Sequence, residues 1–399
     1  MIQINVPKPE YDDPWVIPFA ERAQQLRRRG KKIFYYSEKP NNSSFRYRAF
    51  NMAETINRSQ SEYSASWFWE SDGSKLLNLV KEASILIVHR ALYRDFVSQL
   101  ISVAKANNIP VVYDVDDFVF ELSKVPLLVD STNQRLSGWD GTEATWGVWF
   151  AMIGRYRAVA EMCDSVLVTN EFLAELVTKY LRKPVSVIPN YLGYDQLAIS
   201  NYVYETRNAQ LARNQIADIF PNRPLTIGYF SGSPTHHFDF RVAANSIASI
   251  MSKYPHTNLR VVGWCDLSGT GLEKHIPRIE QLPFTDYLDL QRLIGEVDVN
   301  VSPLVENIFT NGKSELKYFD AGVVGVPTLA TPTFTMRKAI RQLDNGMLVP
   351  AFGWLEALDT IISDNDLRLR LGHAAREDSV ARYTPQAQTP PLLTYLDSL

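Results

Sequence analysis

"NIFTNGKSELKYFDAGVVGVPTLATP", residues 307–332, compresses one unit of the fold into 26 residues. Asn311-Gly312 reads as a turn and cap. The spacing of Leu316, Phe319 and Val323 then predicts a helix over about 313–324 with one buried stripe. Gly325 can end that helix in the left-handed conformation, and Pro327 keeps it from resuming. The chain goes directly into the apolar strand "PTLAT". Lys313, Lys317 and Asp320 fall at i, i+4 and i+7, which places them on a neighbouring face of the expected helix. A helix start with free N–H groups beside Lys313 and Ser314 suits an anion such as a diphosphate. An acid two turns further on, Asp320, can accept from sugar hydroxyls. The plainer reading of the same residues is a solvated Lys/Glu/Lys face.

Outward from this unit the same alternation repeats. Strand-like runs "KIFYYSE", "ILIVH", "PVVYDV", "SVLVTN" and "VSVIPN" are separated by helical patterns in the first half of the chain. "LTIGYFSGS", "NLRVVGW", "DVNVSPL", "PTLAT" and "GMLVP" do the same in the second half. Strand and helix in alternation predict βαβ units and mostly parallel sheets. The strands are continuous apolar runs, as expected when helices cover both faces. The expected division is an N-terminal domain over 1–195, a connector over 196–221, a second domain over 222–380 and a tail over 381–399 that crosses back to the first domain. Ligands of such sheets bind at the carboxyl ends of the strands, so two facing sheets put the site in the cleft between them.

Composition narrows the classes. Of 399 residues, 45% are hydrophobic and 21% charged, near the globular average, so two cored domains are expected rather than disorder. A net charge of −3 makes no case for nucleic acid as partner. Two cysteines far apart in sequence support neither a disulfide framework nor a zinc cluster and suit a reducing cytoplasm. No run approaches the roughly 20 apolar residues of a membrane span, and the N-terminus lacks a signal-peptide pattern. "RRRGKK", residues 27–32, is either a charged helix end or a foot on an anionic membrane surface. No His/Cys/Asp grouping has a metal-ligand spacing, so no metal and no cofactor are expected.

Strand-end residues supply the remaining candidates. Arg46 and Arg48 follow a Ser-rich loop and open a helix, a place for a donor or acceptor phosphate or, alternatively, for an ion pair. Asp114, Asp116 and Asp117 crowd one strand end, where mutual repulsion can raise one pKa. Asp116 or Asp117 is the candidate for a base that takes a proton from an acceptor hydroxyl. His89 ends the strand "ILIVH". The small residues Gly232 and Ser233 let backbone come close to a ligand near His236.

"PLVENIFTNGKSELKYFDAGVVGVPTLAT" resembles the donor-binding region of GT-B glycosyltransferases of the family 4-like group. "VIPNYLGYDQL" resembles that family's crossover between domains, "IGYFSGSPTHHFDF" the first strand and loop of its donor domain, and "PVVYDVDDFVFE" an acidic strand end of its first domain. The resemblance covers about residues 32–383. It implies two Rossmann-like domains facing a cleft and a nucleotide-sugar as substrate. Of the family's pair of glutamates, the second maps onto Asp320 and the first onto Gly312, so that acid is absent here. The resemblance assigns Gly232, Ser233, His236, Lys313, Ser314, Lys317 and Asp320 to the donor, and sets His89 near the donor sugar. The "NGKSELK" form points to bacterial polysaccharide enzymes. The expected protein is a metal-independent, cytoplasmic glycosyltransferase at the inner face of the cell membrane. It would pass a hexose or deoxyhexose to a hydroxyl of a lipid-linked surface glycan. A nucleotide-sugar epimerase and a non-catalytic GT-B-like subunit are the alternatives.

Overall fold

The computed structural model describes residues 2–4, 11–132, 142–216, 223–232 and 237–399. Twelve strands form two six-stranded sheets among these residues. The first contains β1 (Lys31–Ser37), β2 (Tyr63–Trp69), β3 (Ile85–His89), β4 (Val111–Val115), β5 (Ser165–Val168) and β6 (Val185–Val187). Its order is β2-β1-β3-β4-β5-β6, with every pairing parallel. The second contains β7 (Leu225–Ser231), β8 (Thr257–Gly263), β9 (Ile279–Leu282), β10 (Val299–Ser302), β11 (Thr328–Ala330) and β12 (Met347–Leu348). Its order is β12-β11-β10-β7-β8-β9, again parallel throughout. Both are doubly wound α/β domains, as the alternating pattern predicts.

The continuous apolar strands have two cores to fill. Ile33 and Tyr35 of β1 join Ile87 and Val112 in one cluster, while Phe34 and Tyr36 join Leu86, Val88 and Tyr113 in another on the opposite face of the sheet. The first of these clusters does not stop at the domain edge. It runs through Tyr191 and Leu192, into Phe319 and Val323 of the second domain, and back through Leu392 and Leu396 near the C-terminus. A third cluster, with Ile227, Leu259 and Val301, fills the far face of the second sheet.

Three crossings join the domains. Helix Tyr194–Ile216 leads from the first sheet to the second, and Arg207 on it donates to the carbonyls of Gly295 and Val297, both at 2.6 Å. Helix Pro385–Asp397 returns to the first domain, where the Tyr63 hydroxyl donates to Asp397 at 2.7 Å. Near the other end of the chain, buried Ile4 reaches the second domain, its N–H donating to Glu296 at 3.2 Å.

Strand order reverses between β1 and β3 in the first sheet and between β7 and β10 in the second. Crevices open outside the carboxyl ends at such points. At the second, Gly263 ends β8 with φ +88°, and a Cβ there would lie 1.9 Å from the Ser231 carbonyl oxygen. Only glycine lets the two strand ends come this close.

Candidate active site

The pairing register aligns the carboxyl ends of the first sheet: Ser37 lies beside His89, and His89 beside Asp114. His89 is buried. Its Nδ1 lies 3.0 Å from the Ser37 hydroxyl and its Nε2 2.7 Å from the Ser44 hydroxyl. Burial pushes the imidazole pKa down to about 4, with Asp116 opposing, so the ring is neutral near pH 7. Beyond β4, Asp116 and Asp117 share Arg90, whose Nη1 donates to them at 3.1 and 2.9 Å. Burial alone would raise Asp116, but Arg90 and His89, with a hydrogen bond from Ser44, hold it down at about 2. Arg90 itself has φ +39°, so the backbone turns sharply where the strand ends.

Asp116 is thus a fixed carboxylate and a weak proton acceptor, contrary to the expectation of a base at that position. The acid of the three whose pKa is raised is Asp114. Burial takes it to about 6 against the pull of Arg48. It is fully buried and bonded by Arg48 Nε at 2.8 Å. Arg48 also donates to the Ile188 carbonyl at 2.7 Å and to Asn190 at 3.3 Å. Arg46 donates to Gln196 at 2.8 Å and stacks over the rings of Tyr47 and Tyr287 at 4.0 and 4.4 Å. Both arginines open a π-helical turn, Arg46–Phe50, whose residues are all buried. Their charges serve the domain interior and its junction, the ion-pair alternative, and do not line the cleft as a phosphate site.

The second domain corrects the opening motif. The helix begins at Leu316 and not at Lys313. Asn307 accepts from the N–H groups of Phe309 and Thr310 at 2.8 and 3.0 Å and so starts a separate turn, Ile308–Asn311. Gly312 closes that turn, and Thr335 holds the Lys313 carbonyl at 2.7 Å. Lys313 and Ser314 therefore sit on a kink between two helices. Lys313 reaches the first domain, its Nζ 3.6 Å from Asp117, and lies 4.7 Å from the Phe309 ring. A polar chain of Ser37, His89, Ser44, Asp116, Arg90, Asp117 and Lys313 thus spans the cleft. The 307–312 segment also crosses it through Asn307 to Ser131 at 3.1 Å, through Asn170 to the Gly312 carbonyl at 2.9 Å, and through Phe309, which packs into a core of the first domain.

Lys317, one turn into the same segment, has a different environment. Its ammonium is buried, 4.6 Å from the Tyr229 ring, without a hydrogen-bond partner among the described residues. Burial lowers its pKa to about 8; Asp239 pulls upward and Lys313 downward. The Lys317 carbonyl accepts from Asn300 at 2.9 Å, which ties the residue to β10 at the switch point. Asp239 accepts from the Val305 N–H at 2.9 Å and orders the loop that follows β10. Gly232, exposed at the end of β7, leaves its backbone open on the same side. Ser233 and His236 lie outside the described residues.

Asp320 goes elsewhere. It is buried at the domain junction and accepts from Gln196 at 2.8 Å, so that Gln196 bridges it to Arg46. Burial raises its pKa to about 6, against Arg46, Gln196 and Tyr47. This acid is engaged by the connector helix, not turned toward a sugar in the cleft. The residues not foreseen are Ser37 and Ser44, which fix His89, and Gln196. Ser44 lay in a loop already marked as Ser-rich, but only the strand register shows which serine meets the histidine. The basic run 27–32 is largely spent: Arg27 pairs with Glu82, Lys31 with Glu62, and Arg29 donates to four backbone carbonyls. Among the described residues no three His, Cys, Asp or Glu side chains are grouped to hold a metal, and no helix is long and apolar enough to cross a membrane.

Residues 225–364 match the family described as Glycosyl transferases group 1. No curated protein sequence matches the chain. Among solved structures, Alr3699/HepE of Anabaena in complex with UDP and glucose is similar over 92% of this chain and 99% of that one, with 12% identity and a TM-score of 0.60. The sucrose-phosphate synthase of Thermosynechococcus elongatus covers the same shares at 14% identity and a TM-score of 0.57. WaaG, a glycosyltransferase involved in lipopolysaccharide biosynthesis, is similar over 90% of this chain and 99% of that one, at 14% identity and a TM-score of 0.57. These likenesses extend over both domains, and at such identities they speak for the fold. The chain has the two-domain GT-B fold, and its second domain carries a glycosyl transferases group 1 domain.

Proposed function

We propose that this protein is a glycosyltransferase that binds a nucleoside-diphosphate sugar in the cleft and passes the sugar to a hydroxyl acceptor. The observation that carries the reading is the buried ammonium of Lys317 at the switch point of the second sheet, which has no hydrogen-bond partner among the described residues. An unpaired buried charge is costly, and it is retained where a counter-charge arrives with a ligand. A diphosphate at this position, beside the second ammonium of Lys313, supplies that counter-charge. Similar structures were solved with UDP and with UDP-glucose, which supports a nucleotide-sugar as the ligand.

In this reading the leaving diphosphate is stabilised by Lys317, Lys313 and the backbone at Gly232, without a step that needs a metal. Neutral His89, held by two serines, faces the sugar and the acceptor side. Asp116, Arg90 and Asp117 fix that wall and, through Lys313, draw the two domains together. The transferred sugar is a hexose or deoxyhexose. The acceptor is a lipid-linked bacterial surface glycan at the inner face of the cell membrane, a reading supported by the "NGKSELK" form and the likeness to WaaG.

The test is a thermal-shift screen with UDP, GDP, dTDP and CDP on wild type and Lys317→Met. A ligand at about 100 times its Kd adds roughly 2.7 kcal/mol to stability. One nucleotide should shift the wild type, and Lys317→Met should lose that shift while remaining folded. If no nucleotide shifts the wild type, the donor reading fails and a non-catalytic subunit is favoured. Epimerisation of the bound sugar with no transfer to any glycan would favour an epimerase instead.

A further inference from the structure

The segment 307–313 belongs to the second domain by sequence and to the first by packing. Its turn, Ile308–Asn311, carries Phe309, which is only 4% exposed and sits in the cluster that holds Leu128, Val129 and Leu173 of the first domain. Among the described residues it is the one buried member of that cluster that comes from the second domain. Polar bonds hold the segment on either side of the ring, from Asn307 to Ser131 and from Asn170 to the Gly312 carbonyl. Gly312 has ordinary helical backbone, φ −79°, so conformation does not demand glycine there. Space does: a Cβ would lie 2.9 Å from Leu173 Cδ2 across the domains. A second piece of the second domain docks alongside. Phe334 meets Phe172 at 5.5 Å, the Phe334 N–H donates to Asn311 at 2.8 Å, and Lys338 pairs with Glu171 at 2.6 Å.

The seated ring also carries Lys313. The Lys313 ammonium lies 4.7 Å from the Phe309 ring and 3.6 Å from Asp117 of the first domain. An aromatic face attracts a cation, so ring and carboxylate together fix the end of this side chain in the cleft. Opening the cleft lets the polar bonds of the segment exchange for bonds to water. The ring has no such exchange, because it would leave an apolar core for water. Phe309 is therefore the part of the contact that resists opening most. Lys317 stands apart from it, since its carbonyl is tied to β10 and it stays with the second sheet whether the cleft is open or closed.

We propose that Phe309 is a positioning residue that couples domain closure to the anion site. Seated in the first domain, it sets Lys313 toward the diphosphate; withdrawn with an opening second domain, it takes Lys313 away. The ligand in this coupling rests on the donor reading, whereas the latch between the domains rests on the packing of Phe309 alone.

The experiment is calorimetric titration of the full chain with UDP, GDP, dTDP and CDP, beside amide hydrogen exchange of the ligand-free protein. The variants are Phe309→Ala, Phe309→Leu, Lys313→Met and the double variant Phe309→Ala/Lys313→Met, each shown by its melting temperature to be folded. The nucleotide that binds wild type should bind Phe309→Ala about tenfold more weakly, as when the competent closed state falls to about a tenth of the molecules. Phe309→Leu keeps the apolar anchor and should stay within about threefold of wild type. The double variant should bind no more weakly than Lys313→Met, because the ring acts through that lysine. Losses that multiply in the double variant would overturn the proposal. So would Phe309→Ala binding as tightly as wild type, or Phe309→Leu losing as much as Phe309→Ala. Without nucleotide, Phe309→Ala should speed exchange of the Leu173 and Phe334 amides, on the two sides of the contact, at least tenfold, while β1 and β7 stay protected. Unchanged exchange at both amides would also overturn it. A wild type that binds none of the four nucleotides fails the donor reading alone, and exchange then decides the latch. Should Phe309→Ala fail to fold, Gly312→Ala, which presses on Leu173 without strain in its own backbone, takes its place in both measurements.

Discussion

Lys317 and Arg48 are two buried cations with opposite solutions. Arg48 has its counter-ion inside the protein, in Asp114 at 2.8 Å. Removing one partner of such a pair leaves a charge stranded, at a cost of about 3–5 kcal/mol. Arg48→Met should therefore lower chemical-denaturation stability by that amount, and a change under 1 kcal/mol would show the pair to be dispensable. Among the described residues the Lys317 ammonium has no hydrogen-bond partner, and Asp239 acts on it only through its field. Its folded pKa of about 8 lies below the ordinary 10.5, so between these values the unfolded chain binds a proton that the folded chain does not. This group's cost is full below pH 8 and fades as pH rises from 8 to 10.5. Lys317→Met should raise the melting temperature of the ligand-free protein at pH 7, with the gain shrinking toward pH 10.5. An equal gain at both pH values would deny the shifted pKa. The sequence made both lysines and both arginines visible as candidates. It could not separate them, because partner contacts such as Arg48 with Asp114 join residues 66 positions apart.

At the scale of elements, strand and helix alternation was legible wherever strands are interior. The two strands that the sequence reading missed, Tyr63–Trp69 and Ile279–Leu282, are the outer strands β2 and β9. Ser64 and Ser66 interrupt the first and Glu280 and Gln281 the second, so neither shows the continuous apolar run of a doubly covered strand. Ser64 and Ser66 are nonetheless buried, Ser64 by donating to the Leu26 carbonyl at 2.6 Å. The stop of the Leu316–Gly322 helix was legible, since Gly325 does take the left-handed conformation, φ +73°. Its start was not, because the cap at Asn307 shifts the first turn five residues back and a tertiary bond from Thr335 holds the kink. Gly325→Ala should cost about 1–2 kcal/mol from backbone strain alone. The added Cβ would also lie 2.8 Å from the Tyr204 ring, so a loss below 0.5 kcal/mol would contradict this account of the turn.

Across the whole molecule, the same chain crosses between domains several times, and one apolar cluster runs through the crossings. The domains are therefore not independent folding units joined by a loose linker. Truncation before Pro385 removes buried Leu392, Tyr395 and Leu396 from that cluster. Each buried side chain of this kind is worth about 1.5–3 kcal/mol. The truncated chain should unfold at much lower denaturant concentration, and the first domain, which the tail covers, should lose hydrogen-exchange protection first; unchanged protection would show the tail to be an accessory. Contacts across the cleft are polar, from Lys313 to Asp117 and from Asn170 to Gly312, and also apolar, where Phe309 joins a core of the first domain and Phe172 meets Phe334 at 5.5 Å.

The central claim is that Lys317 waits for the diphosphate, and calorimetric titration of the nucleotide found by the screen tests it most directly. The titration is made at pH 7 and pH 9 in buffers of different ionisation enthalpy, on wild type and Lys317→Met. The account predicts uptake of about one proton per nucleotide at pH 9 and little at pH 7. Affinity should fall about tenfold per pH unit above 8, and both effects should vanish in Lys317→Met. Nucleotide binding with the same proton count and affinity in wild type and variant would contradict it.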